Sequence, residues 1–338
     1  MKPTDFSKSL TDYLSKYLPG ERGLSANTIN SYKVTFILFI NFIEAEKHIS
    51  VSKLFLKDIT QNCVVEFLDW LQLTRRCSDS TRNVRLAAIH SFFKFLQYSV
   101  PENMNEWQRI LSIRVKKAKK RSMNYLTLDG IKLLLAQPNL SSKKGRRDLA
   151  LLALMYDSAA RVQEIIDLTP SSLRLTQPFT IKLVGKGNKA RIVPLMHQEV
   201  AHLKSHMEEN HLLQPHANRY PLFYNSHKEK LTRAGVHHIL QCYATMAREK
   251  DPKLIPDKIS PHSLRHSKAM HLLQAGVNLV YIRDILGHES VQTTEVYARV
   301  DSKQKREAIE KAYTEVIKRE VPAWVDNDNL LEWLKNFS

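Results

Sequence analysis

The residues of this chain that could do chemistry are two arginines, two histidines and one tyrosine, between positions 161 and 297. They are Arg161, His262, Arg265, His288 and Tyr297. An arginine guanidinium is a planar, permanently charged donor that fits the non-bridging oxygens of a phosphate. A histidine can donate or move protons near neutral pH, and a tyrosine hydroxyl can become a covalent nucleophile. The set therefore predicts attack on a phosphodiester without a metal, as in an enzyme that cuts and rejoins DNA.

The spacing of these residues predicts that helix ends and helix faces bring them together. His262 and Arg265 are three residues apart, so they share one face of a helix that Ser260-Pro261 can begin. Gly287 can end the next helix in a left-handed conformation, and Ser290 can cap the helix that carries the tyrosine. One tyrosine among 12 is more often a packing residue. The order and spacing of the whole set therefore carry the prediction.

The stretch from about residue 148 to residue 300 resembles the catalytic domain of the tyrosine recombinase (phage integrase) family. Five segments match in order: ARVQEI at 160–165, VGKGNKARIVP at 184–194, HSLRH at 262–266, LGHES at 286–290 and TTEVY at 293–297. Two positions depart from the family pattern. Ala159-Ala160 stands where Gly-Leu is frequent, and Lys268 stands where an apolar residue is common. Neither departure is expected to touch the chemistry.

The resemblance implies a role for each matched side chain. The implied catalytic set is Arg161, Lys186, His262, Arg265, His288 and the nucleophile Tyr297. The arginines would hold the scissile phosphate, the histidines would help by hydrogen bonding and proton management, and the tyrosine would become linked to the 3′ end. Lys186 would protonate the departing 5′ oxygen, and Glu164 would support the site rather than bind a metal. Because the covalent link conserves the energy of the broken bond, neither ATP nor a metal nor another cofactor is expected.

The composition predicts a two-domain protein that binds DNA. A length of 338 residues with 43% apolar residues suffices for two cores, and a formal charge of +17 indicates a polyanionic partner. No apolar run approaches the ~18 residues that span a bilayer. The start of the chain does not resemble a signal peptide, and the three cysteines lack metal-ligand spacing. We therefore expect a cytoplasmic, nucleoid-associated protein of a prokaryote.

The expected fold class is mainly α, with two domains and a small β-hairpin. By the same resemblance, residues 1–113 form a helical, SAM-like core-binding domain, and residues 126–319 form the mostly helical catalytic domain. Apolar residues at helical spacing predict amino-terminal helices over Asp5–Leu18, Thr28–Glu46, Cys63–Leu73 and Thr81–Leu96. In the catalytic domain, Phe179–Val184 and Ala190–Leu195 predict two short strands joined by a glycine-containing turn.

DNA contacts are expected from basic residues in three segments. The fourth amino-terminal helix offers Arg82, Arg85 and Lys94, the linker at 114–125 offers Lys116, Lys117, Lys119 and Lys120, and the hairpin offers Lys189 and Arg191. Each of these could instead be an ordinary solvated residue, and the linker could be a solubilising segment or a localisation signal. We interpret the linker as a strap along the phosphate backbone that becomes ordered only when DNA is present.

The last segment, residues 320–338, is acidic and is expected to be an oligomerisation tail. Asn327 or Asp328 can cap a short helix with an apolar stripe of Leu330, Leu331, Leu334 and Phe337. So short a helix needs a surface to cover that stripe. The stripe could pack on its own catalytic domain. The resemblance favours docking into a neighbouring protomer, in a tetramer that holds two DNA duplexes with short core sites.

Three classes of function fit the chemistry. They are a site-specific recombinase, a type IB-like topoisomerase acting on one duplex, and a DNA-binding regulator that has lost catalysis. All six expected catalytic residues are present, which disfavours the regulator, and the separate helical amino-terminal domain disfavours the topoisomerase. The expected role is integration and excision of a mobile element. The alternative is Xer-type resolution of chromosome or plasmid dimers.

Overall fold

The chain divides into two compact units. The computed structural model describes residues 3–118, 123–300 and 335, and the division between the units falls between Arg121 and Ser122. That position lies inside the segment 114–125 that the sequence marks as a linker. In the described part of the chain, no helix is long and apolar enough to cross a membrane.

The first unit is helical. Its α-helices are α1 (Asp5–Asp12), α2 (Ala26–Lys47), α3 (Gln61–Leu73), α4 (Asp79–Ser99) and α5 (Met104–Leu111). The last three predicted helices are confirmed to within three residues at each end. The first is not, because α1 passes at Tyr13 into a π-helical stretch, Tyr13–Glu21, that contains Pro19. Proline lacks the N–H group that a regular α-helix needs, so a wider turn replaces the predicted end of that helix.

Hydroxyl caps and aromatic packing explain why these helices form where they do. The side chains of Ser25, Thr60 and Ser78 accept hydrogen bonds from the third residues of α2, α3 and α4. At the centre of the core, the ring of Phe92 lies 5.1 Å from that of Phe36 and 5.2 Å from that of Tyr13, both edge to face. Such pairs add to the stability that apolar burial provides.

Two of the arginines predicted to contact DNA from α4 are engaged with the protein. Arg82 is buried, with only 5% of its surface exposed. Arg85 donates from Nη1 to the Ser31 carbonyl and to Thr35 Oγ1, both at 3.1 Å. Their prediction as free surface cations is therefore wrong, because α2 packs over this side of α4. Lys94 is exposed, as expected of a residue that contacts DNA.

Lys116 of the basic linker is bonded to the first unit. Asn83 accepts a hydrogen bond from the Lys116 main-chain N–H at 3.0 Å and donates to its carbonyl at 2.7 Å. The Lys116 Nζ donates to Gln72 Oε1 at 2.6 Å. The ordering of the linker by DNA stays a prediction. Lys117 is exposed, whereas Lys119 and Lys120 lie outside the described residues.

The second unit is mostly helical, with one small sheet. Its helices are α6 (Leu128–Leu135), α7 (Lys143–Asp157), α8 (Val162–Ile166), α9 (His197–Glu209), α10 (Arg233–Lys250), α11 (Pro261–Gln274), α12 (Leu279–Leu286) and α13 (Val291–Val300), and its strands are β1 (Leu173–Arg174), β2 (Thr180–Val184) and β3 (Ala190–Pro194). The mainly α fold class predicted from the sequence is confirmed. The tail at 320–338 lies outside the described residues except for Lys335.

The sheet is antiparallel in the order β1-β2-β3 and confirms the predicted hairpin. Val184 pairs with Ala190 and Thr180 with Pro194. Ile181 and Leu183 are buried, and Lys182 between them is exposed, so alternation along the strand places one face on the core. β1 was not predicted, because a strand of two residues has no detectable alternation.

Local signals at the helix ends place the candidate site residues. Thr127, Ser142 and Thr232 cap α6, α7 and α10 through their side chains. Ser260 precedes α11 as predicted, and its N–H donates to Ser263 Oγ at 3.1 Å. Gly287 ends α12 with φ +60°, and Ser290 accepts a hydrogen bond from the Gln292 N–H before α13. The predicted caps at Ser260, Gly287 and Ser290 are confirmed, whereas Asn327 and Asp328 lie outside the described residues.

The amino-terminal end of α7 offers a test of this packing. A Cβ atom at Gly145 would lie 2.0 Å from the Asn139 carbonyl oxygen, a main-chain atom that cannot move aside cheaply. We expect Gly145→Ala to lower the free energy of unfolding by about 3 kcal/mol, the upper part of the range for overpacking. Urea unfolding of the full chain, followed by circular dichroism, measures the change.

The matched control is Gly235→Ala in α10. Gly235 is the third residue after the capping Thr232, just as Gly145 is the third residue after the capping Ser142. A Cβ added at Gly235 would meet only Thr232 Oγ1, at 3.4 Å. This variant should be unchanged or more stable by up to ~1 kcal/mol, because alanine favours a helix over glycine. Equal stability of the two variants would contradict the packing argument.

Candidate active site

The carboxyl-terminal end of α12 organises three arginines. Arg191 Nε donates to the Ile285 carbonyl at 2.8 Å, and Arg265 Nη2 donates to the Leu286 carbonyl at 2.5 Å. Arg161 Nη2 donates to the Gly287 carbonyl at 3.1 Å. The last carbonyls of a helix have no partner within it and carry the negative end of its dipole. Three consecutive carbonyls therefore fix three guanidinium groups that would otherwise repel one another.

Glu164 is the carboxylate that joins two of these arginines. Its Oε1 accepts from Arg161 Nη1 at 3.0 Å and from Arg191 Nη1 at 2.8 Å, and its Oε2 accepts from the Arg161 N–H and from Arg191 Nη2, both at 2.7 Å. It is 4% exposed. Burial acts to raise the pKa of the Glu164 carboxyl, but the hydrogen bonds from Arg191 and Arg161 lower that pKa overall. Glu164 therefore stays ionised and positions both arginines.

Arg265 is the most deeply buried of the three arginines, with 3% of its surface exposed. Besides the bond to α12, its Nη1 donates to the Ala159 carbonyl at 2.7 Å. Burial, followed by the charges of Arg161 and Arg191, lowers the pKa of Arg265 to about 10, so the group remains a cation near neutral pH. A phosphate oxygen at this place would meet a cation that is fixed before the substrate arrives.

Ala159 takes part in this arrangement, contrary to the sequence-based expectation. Its backbone is in the left-handed region, with φ +48°, a conformation that costs about 1–2 kcal/mol for a residue with a Cβ. The conformation turns the Ala159 carbonyl toward Arg265. The frequent glycine of the family suits this place. Lys268, the other departure, pairs with Asp157 at 2.9 Å and lies over the Tyr156 ring.

Three histidines lie around the arginines. His288 shares a hydrogen bond between its Nδ1 and Thr294 Oγ1 at 3.0 Å, and the His262 ring stacks on His266 with 6.1 Å between centroids. Burial, followed by the arginine charges, lowers the pKa of His288 to about 4 and also lowers that of His262. These rings are therefore neutral near pH 7. They can donate or accept a hydrogen bond without adding to the positive charge.

Tyr297 is buried on α13 and points at the third histidine. It is 2% exposed, and its hydroxyl lies 2.9 Å from His266 Nδ1. Burial raises the pKa of Tyr297, and the charges of Arg265 and Arg161 oppose that rise. Tyr297 belongs to the same buried cluster as Ala159 and Leu286, whose carbonyls accept hydrogen bonds from Arg265.

A cleft of about 510 Å³ opens beside this cluster. Arg161 and His288 line it, together with Gly185, Lys189 and Arg191 of the hairpin. Lys189 Nζ pairs with Glu289 at 2.9 Å across the opening, and both side chains are largely exposed. Lys186 belongs to a 3₁₀ turn between β2 and β3, at the edge of the same hairpin. The charged residues that line the cleft are the cations Arg161, Lys189, Arg191 and Arg283 and the carboxylates Asp284 and Glu289.

The structure brings together most of the predicted catalytic residues. Arg161, His262, Arg265, His288 and Tyr297 converge from α11, α13 and the ends of α8 and α12. Arg191, predicted to contact DNA, instead has a largely buried side chain that is paired with Glu164. Its lone position on a strand gave no sign of this partner.

Two further residues differ from what the sequence predicts. The apolar segment Leu279–Leu286 predicts that Tyr281 is a packing residue, but Tyr281 is 67% exposed on the outer side of α12. His266, the last residue of the HSLRH motif, is outside the catalytic set that the resemblance implies, yet it lies against the Tyr297 hydroxyl. Its four-residue spacing from His262 is the signal that places it on the same helix face.

A buried tyrosine, paired arginines and neutral histidines on a mostly helical domain form the arrangement expected of a tyrosine recombinase. Comparisons with known proteins agree. The profile of the Phage integrase family matches residues 124–304, and that of the phage integrase N-terminal SAM-like domain matches residues 10–98. Among the described residues, no group of three or more His, Cys, Asp or Glu side chains is placed to hold a metal ion.

Relatives match over nearly the whole chain. The integrase/recombinase y4rC of Sinorhizobium fredii is 32% identical over 335 residues, which cover 99% of this chain and 99% of the relative. The tyrosine recombinase XerD of Staphylococcus epidermidis is 31% identical over 307 residues, which cover 90% of this chain and 97% of the relative.

Solved structures share the fold. The XerH recombinase bound to a palindromic difH substrate has a TM-score of 0.66 and 25% identity, covering 86% of this chain and 81% of that one. The Tn1549 transposon integrase in complex with transposon right-end DNA also has a TM-score of 0.66. The match covers 88% of this chain and 97% of that one, but at 13% identity it supports the fold alone.

The chain belongs to the phage integrase family of tyrosine recombinases, which are site-specific DNA recombinases. The family and the enzyme class predicted from the sequence are confirmed.

The role of Glu164 can be tested by an isosteric change. Glu164→Gln keeps the shape but removes the charge that pairs with Arg161 and Arg191. Breaking a buried ion pair from one side typically costs 3–5 kcal/mol. We expect a loss of stability of about that size and at least ~10-fold slower covalent attachment to DNA, as measured by denaturant unfolding and by gel electrophoresis of protein–DNA adducts.

Asp167→Asn is the control, because Asp167 pairs with Lys230 at the surface nearby. Exposed ion pairs contribute about 0–1 kcal/mol, so this variant should resemble the wild type in both measurements. A Glu164→Gln protein with wild-type stability and attachment rate would exclude the positioning role.

Proposed function

We propose that this chain cleaves and rejoins DNA at specific short sites through a 3′-phosphotyrosyl intermediate formed by Tyr297. The observation that carries the proposal is that the buried Tyr297 lies in one cluster with Ala159 and Leu286, the two residues whose carbonyls hold Arg265. Arg265 and Arg161 would bind the non-bridging oxygens of the scissile phosphate and stabilise the charge that builds up on them. No step requires a metal or a nucleotide, because the phosphotyrosyl bond retains the energy of the phosphodiester.

Each remaining residue has a distinct part in the proposed reaction. Lys186, at the hairpin turn beside the cleft, protonates the 5′ oxygen as it leaves. His288 and His262 are neutral hydrogen-bonding groups for the phosphate. Glu164 and Arg191 hold Arg161 in place and do not touch the substrate. Rejoining runs the same steps backward, with a 5′ hydroxyl from either the same strand or the partner duplex as the nucleophile.

The proposed DNA contacts outside the cleft come from exposed cations of each unit. Lys94, Lys116 and Lys117 of the first unit and Lys189 of the hairpin are exposed. Each neutralised phosphate releases counterions, so replacing these lysines would weaken binding to all sequences alike. Arg82, Arg85 and Arg191 would not contribute in this way, since their side chains are engaged with the protein. Lys119 and Lys120 remain part of the proposal.

The proposed biological role is integration and excision of a mobile element. The relative from S. fredii, covered to 99%, is described as an integrase/recombinase, which supports this role. Several XerD proteins at 31% identity support the alternative, resolution of chromosome or plasmid dimers. Selecting bound duplexes from a random library and mapping the selected site on the host genome separates the two roles. A site at both ends of an element supports integration, and one solitary chromosomal site supports dimer resolution.

The nucleophile assignment predicts a covalent adduct that depends on one hydroxyl. On a nicked duplex that carries the selected site, wild-type protein should become trapped as a phosphotyrosyl adduct, even in EDTA. Tyr297→Phe should bind that DNA with nearly unchanged affinity and form no adduct, because only the nucleophilic oxygen is lost. Denaturing gel electrophoresis of labelled DNA detects the adduct.

Tyr281→Phe provides the matched control, since Tyr281 is exposed on α12 and has no part in the proposed chemistry. It should form the adduct at the wild-type rate. The assignment fails when Tyr297→Phe still becomes attached, or when EDTA prevents attachment by the wild type.

Recombination, unlike topoisomerase action, requires that protomers on two duplexes assemble. The tail at 320–338 is proposed to support this assembly by docking on a neighbouring protomer. Wild-type protein should convert two short site-bearing duplexes into a four-way junction. Removal of residues 322–338 should leave one-site binding intact and abolish the two-duplex complex, as seen in gel-shift titrations. Unchanged synapsis by the truncated chain would show that the tail packs on its own protomer or has no role in assembly. Relaxation of supercoiled DNA without any junction would favour a topoisomerase.

A further inference from the structure

The nucleophile has a hydrogen-bond partner that none of the assigned roles uses. His266 Nδ1 lies 2.9 Å from the Tyr297 hydroxyl, and the two rings are 5.7 Å apart. Neither of the other two histidines has a recorded bond to this hydroxyl: His288 is bonded to Thr294, and the His262 ring stacks on His266 itself. His266 is therefore the histidine that contacts the reacting atom in the described part of the chain.

We infer that His266 accepts the phenolic proton of Tyr297 during cleavage and returns it during rejoining. The inference rests on the proposed function and deepens it. As the Tyr297 oxygen bonds to phosphorus, its O–H bond breaks and the proton passes to Nδ1. The bond from phosphorus to the 5′ oxygen breaks at the same time, and Lys186 supplies the proton for that oxygen. In the reverse reaction, the departing Tyr297 oxygen recovers its proton from the imidazolium.

The surroundings of His266 explain why the transfer waits for DNA. Burial, followed by His262 and the charge of Arg265, lowers the pKa of His266 to about 4, so the free enzyme holds a neutral ring with a nitrogen able to accept a proton. The groups that face it are His262 and Arg265 on its own helix, Tyr297 on α13, and His288 before α13. A bound phosphate places negative charge beside Arg265 and offsets its repulsion. The ring then becomes more basic only when the substrate is in place.

The rate at which His266→Asn becomes attached to DNA shows whether His266 takes up a proton or only accepts a hydrogen bond. Asparagine at position 266 can place its Oδ1 near Nδ1 and accept the hydrogen bond, but it cannot take up the proton. We expect His266→Asn and His266→Ala to bind the selected site normally and to attach about 10²-fold more slowly, or worse, in single-turnover reactions near pH 7. Their rates should rise with pH, because hydroxide can then replace the missing base.

A sulfur atom in place of the bridging 5′ oxygen separates the two proton transfers. The thiol that leaves has a pKa of about 8.5 and needs no acid. Lys186→Ala should therefore recover on this substrate, whereas the His266 variants should remain slow. The control is His271→Asn on the same helix, since His271 makes an equivalent bond of 2.9 Å to the Tyr156 hydroxyl. It should attach at the wild-type rate.

The outcomes distinguish the inference from the function it rests on. Wild-type protein that forms no adduct on any selected site overturns the proposed function. With wild-type attachment intact, near-normal rates for His266→Asn reduce His266 to a positioning residue and overturn the inference. Rescue of the His266 variants by the sulfur substrate overturns it too, because the defect would then lie in leaving-group protonation.

Discussion

The arrangement of the whole site depends on placing three buried or half-buried cations at the end of one short helix. Guanidinium groups repel one another in a medium of low dielectric constant, and removing each from water is costly. The carbonyls of Ile285, Leu286 and Gly287 offset both costs, because they point out of α12 along its dipole. The conformation of Gly287 is essential here. A Cβ at that position would lie 3.0 Å from Arg191, in addition to the strain of its positive φ.

This dependence explains why distant segments of the sequence must fold together before the site exists. The carbonyl acceptors come from α12, the carboxylate from α8, and the bonded guanidiniums from α8, β3 and α11. The Glu164 carboxylate accepts hydrogen bonds both from Arg161, three residues earlier, and from Arg191 of the hairpin. The hairpin that carries Lys186 is thereby fixed to the same ion pair that fixes Arg161. Because this ion pair holds the hairpin against Glu164, Gly185 lies close to that carboxylate. A Cβ at Gly185 would be 3.0 Å from Glu164 Oε1.

The sequence predicted the parts of the site that local signals encode. Caps such as Ser290 and Gly287 act within a few residues, so their residue types and spacing were sufficient to predict where the helices begin and end. The nucleophile, both arginines and the hairpin followed from the matched segments. Partners distant in sequence were not predictable: Arg191 is 27 residues from Glu164, and the Arg85 guanidinium bonds Ser31 and Thr35 of another helix. Tyr281 shows the converse error, since an apolar segment does not specify which of its faces is covered.

The balance of charge in the site fits the proposed attack by a tyrosine without a metal. The three arginines and Glu164 together leave two positive charges, because the three surrounding histidines are neutral near pH 7. A bound phosphodiester brings one negative charge and neutralises them in part. As the five-coordinate phosphorus forms in the proposed reaction, the tyrosine proton passes to His266 and stays in the site, while a second negative charge builds up on the phosphate oxygens beside the arginines. Electrostatic stabilisation is therefore greatest at the transition state, which is the condition for catalysis rather than for tight binding.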